Sequence, residues 1–433
     1  MMNRKIIVIT VILIVIISAV ISMEITQIGH GHSNTHVHTT SPNTSSLIEH
    51  DNSTTLSTTG RDAIFIDRKD PKKRLYVPQY AILKIKDKIY ALGGYDDEGV
   101  AVILSEDLRP ICHAKLKHEL WRAEKYDDDR FVAMSIWYWY SERLAAAGSN
   151  ITMFDYKFNQ IWSVNGNFTN FEVANNKIYA IEHRGNSSYL DIFDGNGNLI
   201  KSFKVLDDEE IEEGQQYSLT LEVNDSKIYI PYISGNVTGP YKLMLLRFDE
   251  QGNLELKKEI YETKEPEGVE HIFSHKNGLL LAVSSSSCRY IYVDKDGNIL
   301  GEATWLPPSR NGCWAKARIL NGRAYIFGWD PSLFTGYVGL INESIYAIYL
   351  NESIYHAKAQ EIFVQRNGTP QDNSLVRDVL LDGDKLYVIG LVQMYPPSGA
   401  FIAKVDPYLN EDISYLLERA DVVYLEDIPP CKS

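Results

Sequence analysis

Positive charge is short in this chain: 43 Lys and Arg against 57 Asp and Glu leave a net charge of −14 over 433 residues. A nucleic-acid ligand is excluded on that ground, because phosphates would be repelled rather than neutralised. Cysteine is scarcer still, with four residues, Cys112, Cys288, Cys313 and Cys431. Four thiols fit a few disulfides formed in an oxidising compartment. No catalytic signature is present. Hydrophobic residues, by contrast, make up 44% of the chain, enough to bury a substantial core, so global disorder is excluded. Tyrosine is abundant, at 27 residues, and suits strands with one apolar face.

At the N-terminus a basic flank, Asn3-Arg4-Lys5, precedes Ile6–Val20, which is mostly Ile and Val. About 17 apolar residues at ~1.5 Å each span roughly 25 Å, between a long signal sequence and a short membrane-spanning helix. Ser18-Ala19-Val20 is a poor cleavage site, so residues 1–23 are expected to be a retained signal-anchor helix. Cleavage would instead release a secreted protein. Either way the chain leaves the cytoplasm, as a single-pass membrane protein with its C-terminal part outside. Residues 24–61 are rich in Ser, Thr, Asn and His and read as a flexible stalk that cannot bury enough surface to order itself. Within it His30, His32, His36 and His38 form two His-x-His pairs able to capture a divalent metal weakly; no other cofactor is expected. Glycosylation sequons stand at Asn43, Asn52, Asn150, Asn167, Asn186, Asn224, Asn236, Asn342, Asn351 and Asn367. Composition alone would yield roughly three, which points to a glycosylated surface.

Residues 62–433 carry a repeat. Its clearest copy runs through Lys177-Ile178-Tyr179, with three short apolar runs separated by turn residues. Lys88-Ile89-Tyr90, Lys227-Ile228-Tyr229 and Lys385-Leu386-Tyr387 repeat the anchor, and Arg130-Phe131-Val132, Gly278-Leu279-Leu280 and Arg323-Ala324-Tyr325 are degenerate copies. The period is close to 50. Hairpin turns of the form Asp-x-x-Gly-Asn follow at Asp194, Asp249 and Asp294, with looser versions at Asp155 and Asp406. Asp194 and Asp294 open like calcium loops, but Val205 and Trp305 stand where a bidentate Glu is required, so these are turns. Seven units of four strands predict an all-β, seven-bladed β-propeller of antiparallel blades. Ile64–Ile66 is expected to add a closing strand, and Glu411–Arg419 a short helix.

On these motifs the chain resembles the broad kelch-like and quinoprotein-like β-propeller superfamily, in a surface-anchored, archaeal-looking form. Gly93-Gly94 is similar to a kelch diglycine, but the other copies lack it, as they lack WD dipeptides and a quinone-docking pattern. The resemblance therefore implies a fold and transfers no active site.

Two places are candidates for function. The connections between second and third strands vary in length, and variable loops on a rigid scaffold are the usual site of recognition. Near them lie Trp137, Trp139 and Tyr140, His183-Arg184, Met394-Tyr395 and Trp329, clustered aromatics and polar groups that suit a sugar or peptide. Alternate members of Trp137–Tyr140 serve equally as core between blades. The acidic run Asp207–Glu213 reads as a solvated face. Counting back from each anchor places Lys125, Glu172, Glu222, His271, Lys316, Arg318 and Asp378 on one face of the first strands. That face is either a wet channel with mutually paired charges or a ligand site. Glu172, Glu222 and His271 would be its acid/base set if it were catalytic.

The cysteines allow three pairings. One joins Cys288 to Cys313 across adjacent blades and Cys112 to Cys431 where a propeller brings its ends together. The expected function is that of a membrane-tethered extracytoplasmic binding or scaffold module for a glycan, peptide or surface protein. An extracellular carbohydrate-active enzyme is the alternative, with metal capture by the stalk as a third reading.

Overall fold

The computed structural model describes residues 62–69, 79–95, 98–137, 148–211, 219–235, 239–264, 268–284, 288–305, 314–330, 335–341, 358–362, 365–366, 369–370, 374–392, 399–411 and 420–432. The anchor and stalk lie outside them. So do Trp139, Tyr140, Met394, Tyr395, Cys313, Asn236, Asn342, Asn351, Asn367 and all but the first residue of the helix expected at Glu411–Arg419. No helix among the described residues is long and apolar enough to cross a membrane, and no group of three or more His, Cys, Asp or Glu there is arranged to hold a metal.

Four-stranded antiparallel sheets follow one another along the chain, each a simple meander in chain order. The first is Gln79–Ile85, Lys88–Tyr95, Glu98–Ser105 and Pro110–Leu116. The second is Leu120–Lys125, Arg130–Trp137, Gly148–Asp155 and Gln160–Gly166. The third is Phe168–Ala174, Lys177–Arg184, Ser187–Asp194 and Leu199–Asp207. The fourth is Glu222–Asn224, Lys227–Ser234, Tyr241–Asp249 and Leu254–Thr263. The fifth is Gly268–His275, Gly278–Ser284, Cys288–Asp294 and Ile299–Trp305. The sixth is Trp314–Leu320, Arg323–Asp330, Thr335–Ile341 and Lys358–Ile362. A seventh takes Ser374–Asp382, Lys385–Val392 and Gly399–Val405. Its fourth strand is the N-terminal Ala63–Asp67, antiparallel to Gly399–Val405, and Asp421–Tyr424 adds a fifth strand in parallel.

First strands of successive sheets touch, and the seventh touches the first. Apolar clusters fill the gaps between neighbouring sheets. Phe131, Tyr90 and Ile103 pack between the first and second; Ile178, Phe171 and Met153 between the second and third; Ile64, Ile89 and Ile389 between the seventh and first.

The repeat's anchor tyrosine explains how one sheet finds the next. Its ring is buried, and in four of the five anchor tyrosines the hydroxyl reaches the chain just past the third strand of the following sheet. Tyr90 donates to Tyr156 O, Tyr179 to Glu250 Oε1, Tyr325 to Pro407 O and Tyr387 to Glu106 O, at 2.5–3.1 Å. Each acceptor belongs to the residue just after the turn-opening Asp or Ser. Where Val132 replaces the tyrosine, Tyr126 OH reaches Asn176 O of the third sheet instead.

Those turns share one geometry. Asp194 Oδ1 accepts the N–H groups of Asn196 and Asn198, and Oδ2 accepts the Asn198 amide. The same bonds recur at Asp155, Asp249 and Asp294. Both carboxylate oxygens at Asp194 are thus committed to the chain itself. Gly252 shows why glycine is needed there: its φ is +85°, and a Cβ would meet the Phe203 ring of the preceding sheet at 2.8 Å.

Candidate functional site

Strand alternation turns Phe171 into the core and Glu172 to the other face of the first strand. The carboxylates on that face form a ladder. Glu124 Oε2 accepts the N–H of Val173 at 2.7 Å, Glu172 Oε2 that of Val223 at 2.8 Å, and Glu222 Oε1 that of Ser274 at 2.8 Å. Each glutamate therefore clips its own sheet to the next. Arg122 forks onto Glu124 and reaches Asn170 Oδ1. Burial, together with the charges of Glu222 and Glu124, pushes Glu172 well above the usual carboxylate range. Burial pushes Glu222 up to about 7. Across the seventh sheet Asp378, 2% exposed, pairs with Arg318 of the sixth and accepts Ile82 N–H of the first.

One sequence expectation is corrected. Lys125 is not on this face: it is exposed and pairs with Asp128 at 2.6 Å. Glu124 lies opposite Val132, as Glu172 lies opposite Tyr179 and Glu222 opposite Tyr229. Between the pair Lys125 and Phe131 the second copy holds five residues, where the third holds four between the equivalent Val173 and Ile178, so counting back from the anchor slips by one. The same slip replaces Ala123 by Arg122. His271 is two residues up its strand from the level of the glutamates and stacks on Phe273, ring centres 5.4 Å apart. The side chain of Lys316 lies outside the description.

Neither a protein-family model nor a curated protein matches the chain. Solved structures do. The WD40 domain from Toxoplasma gondii coronin is similar at TM-score 0.50 and 10% identity, covering 82% of this chain and 87% of that one. The β-propeller domain of the Trilobed protease from Pyrococcus furiosus reaches TM-score 0.46 at 10% identity, covering 81% of this chain and 100% of that one. The fold is a β-propeller. At such identity the likeness speaks to fold alone.

The two ends of the propeller differ. At one end first-to-second connections are two residues long in every sheet but the second, and third-to-fourth connections are four residues long in the first five sheets. At the other end second-to-third connections run from two residues, Gly185-Asn186, to ten, residues 138–147. His183 and Arg184 stand at this variable end. His183 is buried, with Nε2 3.6 Å from Asp208 Oδ2. Arg184 ties Glu182 to Asp191 and lies 5.0 Å from the Tyr189 ring centre. Burial pushes Asp191 up to about 6. Trp137 and Trp329 end or nearly end their strands there, and their side chains, like that of Cys288, lie outside the description.

Among the sequons, Asn186 is exposed on a turn at the variable end, while Asn167 and Asn224 are half-buried. Asn150, 8% exposed, lies within the third strand of the second sheet.

Proposed function

We propose that this chain is a binding and scaffold module built on a closed seven-bladed propeller. In this reading its N-terminal segment tethers it on the outer side of a membrane, and its variable end engages a glycan, peptide or surface-protein partner. The observation that carries the reading is the contrast between the ends. Uniform turns satisfy their own polar groups, whereas the opposite loops differ from sheet to sheet, as recognition requires. The polarity of the N-terminal strand supports it too. Ala63 pairs with Ala403, so the chain enters the propeller close to the uniform turns and away from the variable loops. Exposed Asn186 is a glycan acceptor in this reading, and the stalk histidines remain a secondary metal-capture element.

A carbohydrate-active enzyme is the less favoured alternative. It would require Glu172, Glu222 and His271 to converge on one ligand. One oxygen of each glutamate is instead held by a main-chain N–H, two or fewer residues from the uniform turns. Glycan and peptide arrays probed with the full chain in detergent test the reading. Replacing residues 138–147 by a two-residue Asn-Gly turn should abolish or change the bound set. Glycan hydrolysis that depends on Glu172 and Glu222 would overturn it in favour of the enzyme.

A further inference from the structure

We propose that residues 421–432 form a redox-operated strap across the seam between the seventh and first sheets. The strap begins on the seventh sheet, where Asp421–Tyr424 pairs in parallel with the outer edge of Ala63–Asp67, Ile64 opposite Asp421 and Asp67 opposite Tyr424. A short 3-10 turn, Leu425–Asp427, then drives Leu425 and Ile428 into the apolar cluster shared by the two sheets. Arg68 pairs with Glu426 at 2.8 Å. The strap ends on the first sheet. His113 donates its main-chain N–H to Pro429 O, Cys431 donates to His113 O, and His113 Nδ1 contacts Ile428 O, each at 2.8 Å. Cys112 and Cys431 close it with a disulfide spanning 319 residues of sequence.

The non-covalent hold is small. Leu425 and Ile428 with Val423 packed beside them, one four-residue parallel pairing, the ion pairs of Glu426 with Arg68 and Asp427 with Lys69, and a few hydrogen bonds hold a segment at the chain's edge, a place of low local stability. The disulfide converts it into a fixed element by pinning its far end to the first sheet, so that a detached strap stays close to its seat at both ends. Seam closure does not depend on it. Ala63–Asp67 is held independently by its antiparallel pairing with Gly399–Val405, and the first strands of the seventh and first sheets touch directly. Breaking the bond therefore frees the strap and leaves the propeller standing.

Both cysteines are half-buried rather than sealed, so a small dithiol reaches them. Its thiolate attacks one sulfur and releases the other as a thiolate, giving a mixed disulfide. The second thiol of the reductant then displaces the remaining cysteine and closes the reductant's own disulfide. Two electrons and two protons pass from the dithiol, and Cys112 and Cys431 end as thiols. The released strap uncovers the outer edge of Ala63–Asp67, a row of unpaired main-chain groups. An oxidising compartment keeps that edge covered, and a reducing one exposes it.

Hydrogen exchange read by mass spectrometry on the full chain, before and after dithiothreitol, tests this. Exchange should accelerate about tenfold or more in peptides covering 62–69 and 420–432, and stay unchanged across 168–207 of the third sheet. Cys431→Ser should reproduce the pattern without reductant. An unchanged strap after reduction would overturn the proposal, because the bond would then be dispensable. Acceleration that extends equally into 168–207 would also overturn it, by making the disulfide a general staple. So would alkylation mapping that finds Cys112 and Cys431 resistant to the dithiol.

Discussion

Glu172 accepts the main-chain N–H of Val223 at 2.8 Å, so a side chain of the third sheet supplies a hydrogen bond that the fourth sheet's first strand would otherwise lack. Glu124 and Glu222 do the same one repeat earlier and later, reaching 49 and 52 residues along the chain. The repeat period is thus also the distance over which these carboxylates act. Burial first, and repulsion within the ladder second, disfavours charge on Glu172 and Glu222, and that sets the first prediction.

Stability should fall as pH rises through neutrality. Glu222 is raised from 4.5 to about 7 and Glu172 is raised well above 4.5, so between those values the folded chain holds protons that the unfolded chain has released. The resulting stabilisation is complete below about 4.5 and lost as pH climbs through about 7. Urea unfolding should show roughly 2 kcal/mol less stability at pH 8 than at pH 5. Asp191, raised to about 6, acts in the same direction. A Glu172→Gln/Glu222→Gln variant should flatten the profile and match or exceed the parent at pH 8. A parent that gains stability from pH 5 to 8 would contradict this account.

Removing single anchor hydroxyls should cost unequal amounts. Tyr387→Phe loses a bond to the Glu106 carbonyl, and Tyr179→Phe one to the Glu250 carboxylate. Denaturant titration should give about 1 kcal/mol for the first and about 2 kcal/mol for the second, because charged acceptors hold more strongly. Losses near zero in both would assign the energy to ring packing alone, and equal losses would remove the advantage given to the charged acceptor.

Gly252 and Gly383 separate backbone strain from crowding. Both have positive φ, +85° and +57°, but a Cβ at Gly252 meets Phe203 while one at Gly383 meets nothing within 4 Å. Gly383→Ala should cost about 1 kcal/mol, from the left-handed backbone, and Gly252→Ala about 2–3 kcal/mol. Thermal melts of the two variants decide it, and equal losses would remove the packing role assigned to Phe203.

Asp378 joins three sheets through Arg318, Ile82 N–H and its own position. Asp378→Ala leaves a guanidinium and an amide without their acceptor and should cost about 3–5 kcal/mol. Arg318→Met paired with Asp378→Leu should recover part of that loss, measured as a double-mutant cycle.

Much of the fold was legible because its signals are local. Asn175-Asn176 and the Asp194 turn are closed by contacts within about five residues, and such turns read the same in any copy. Period-2 alternation likewise placed Glu172 and Glu222 on one face. Glu124 was missed although its signal was visible: the longer run Tyr126–Asp129 before Arg130 marks a copy whose count must shift by one.

The sequence by itself therefore determined an all-β repeat, its turns and the face on which the charges stand, since each depends on neighbours along the chain. Tertiary structure alone decided what those charges do. The acceptor role of Glu172 needs a donor about 50 residues away, and no local pattern records which amide a neighbouring sheet will present. The strap is the same case at greater range, because the contact between His113 and Pro429 exists only once the seventh sheet has come round to meet the first.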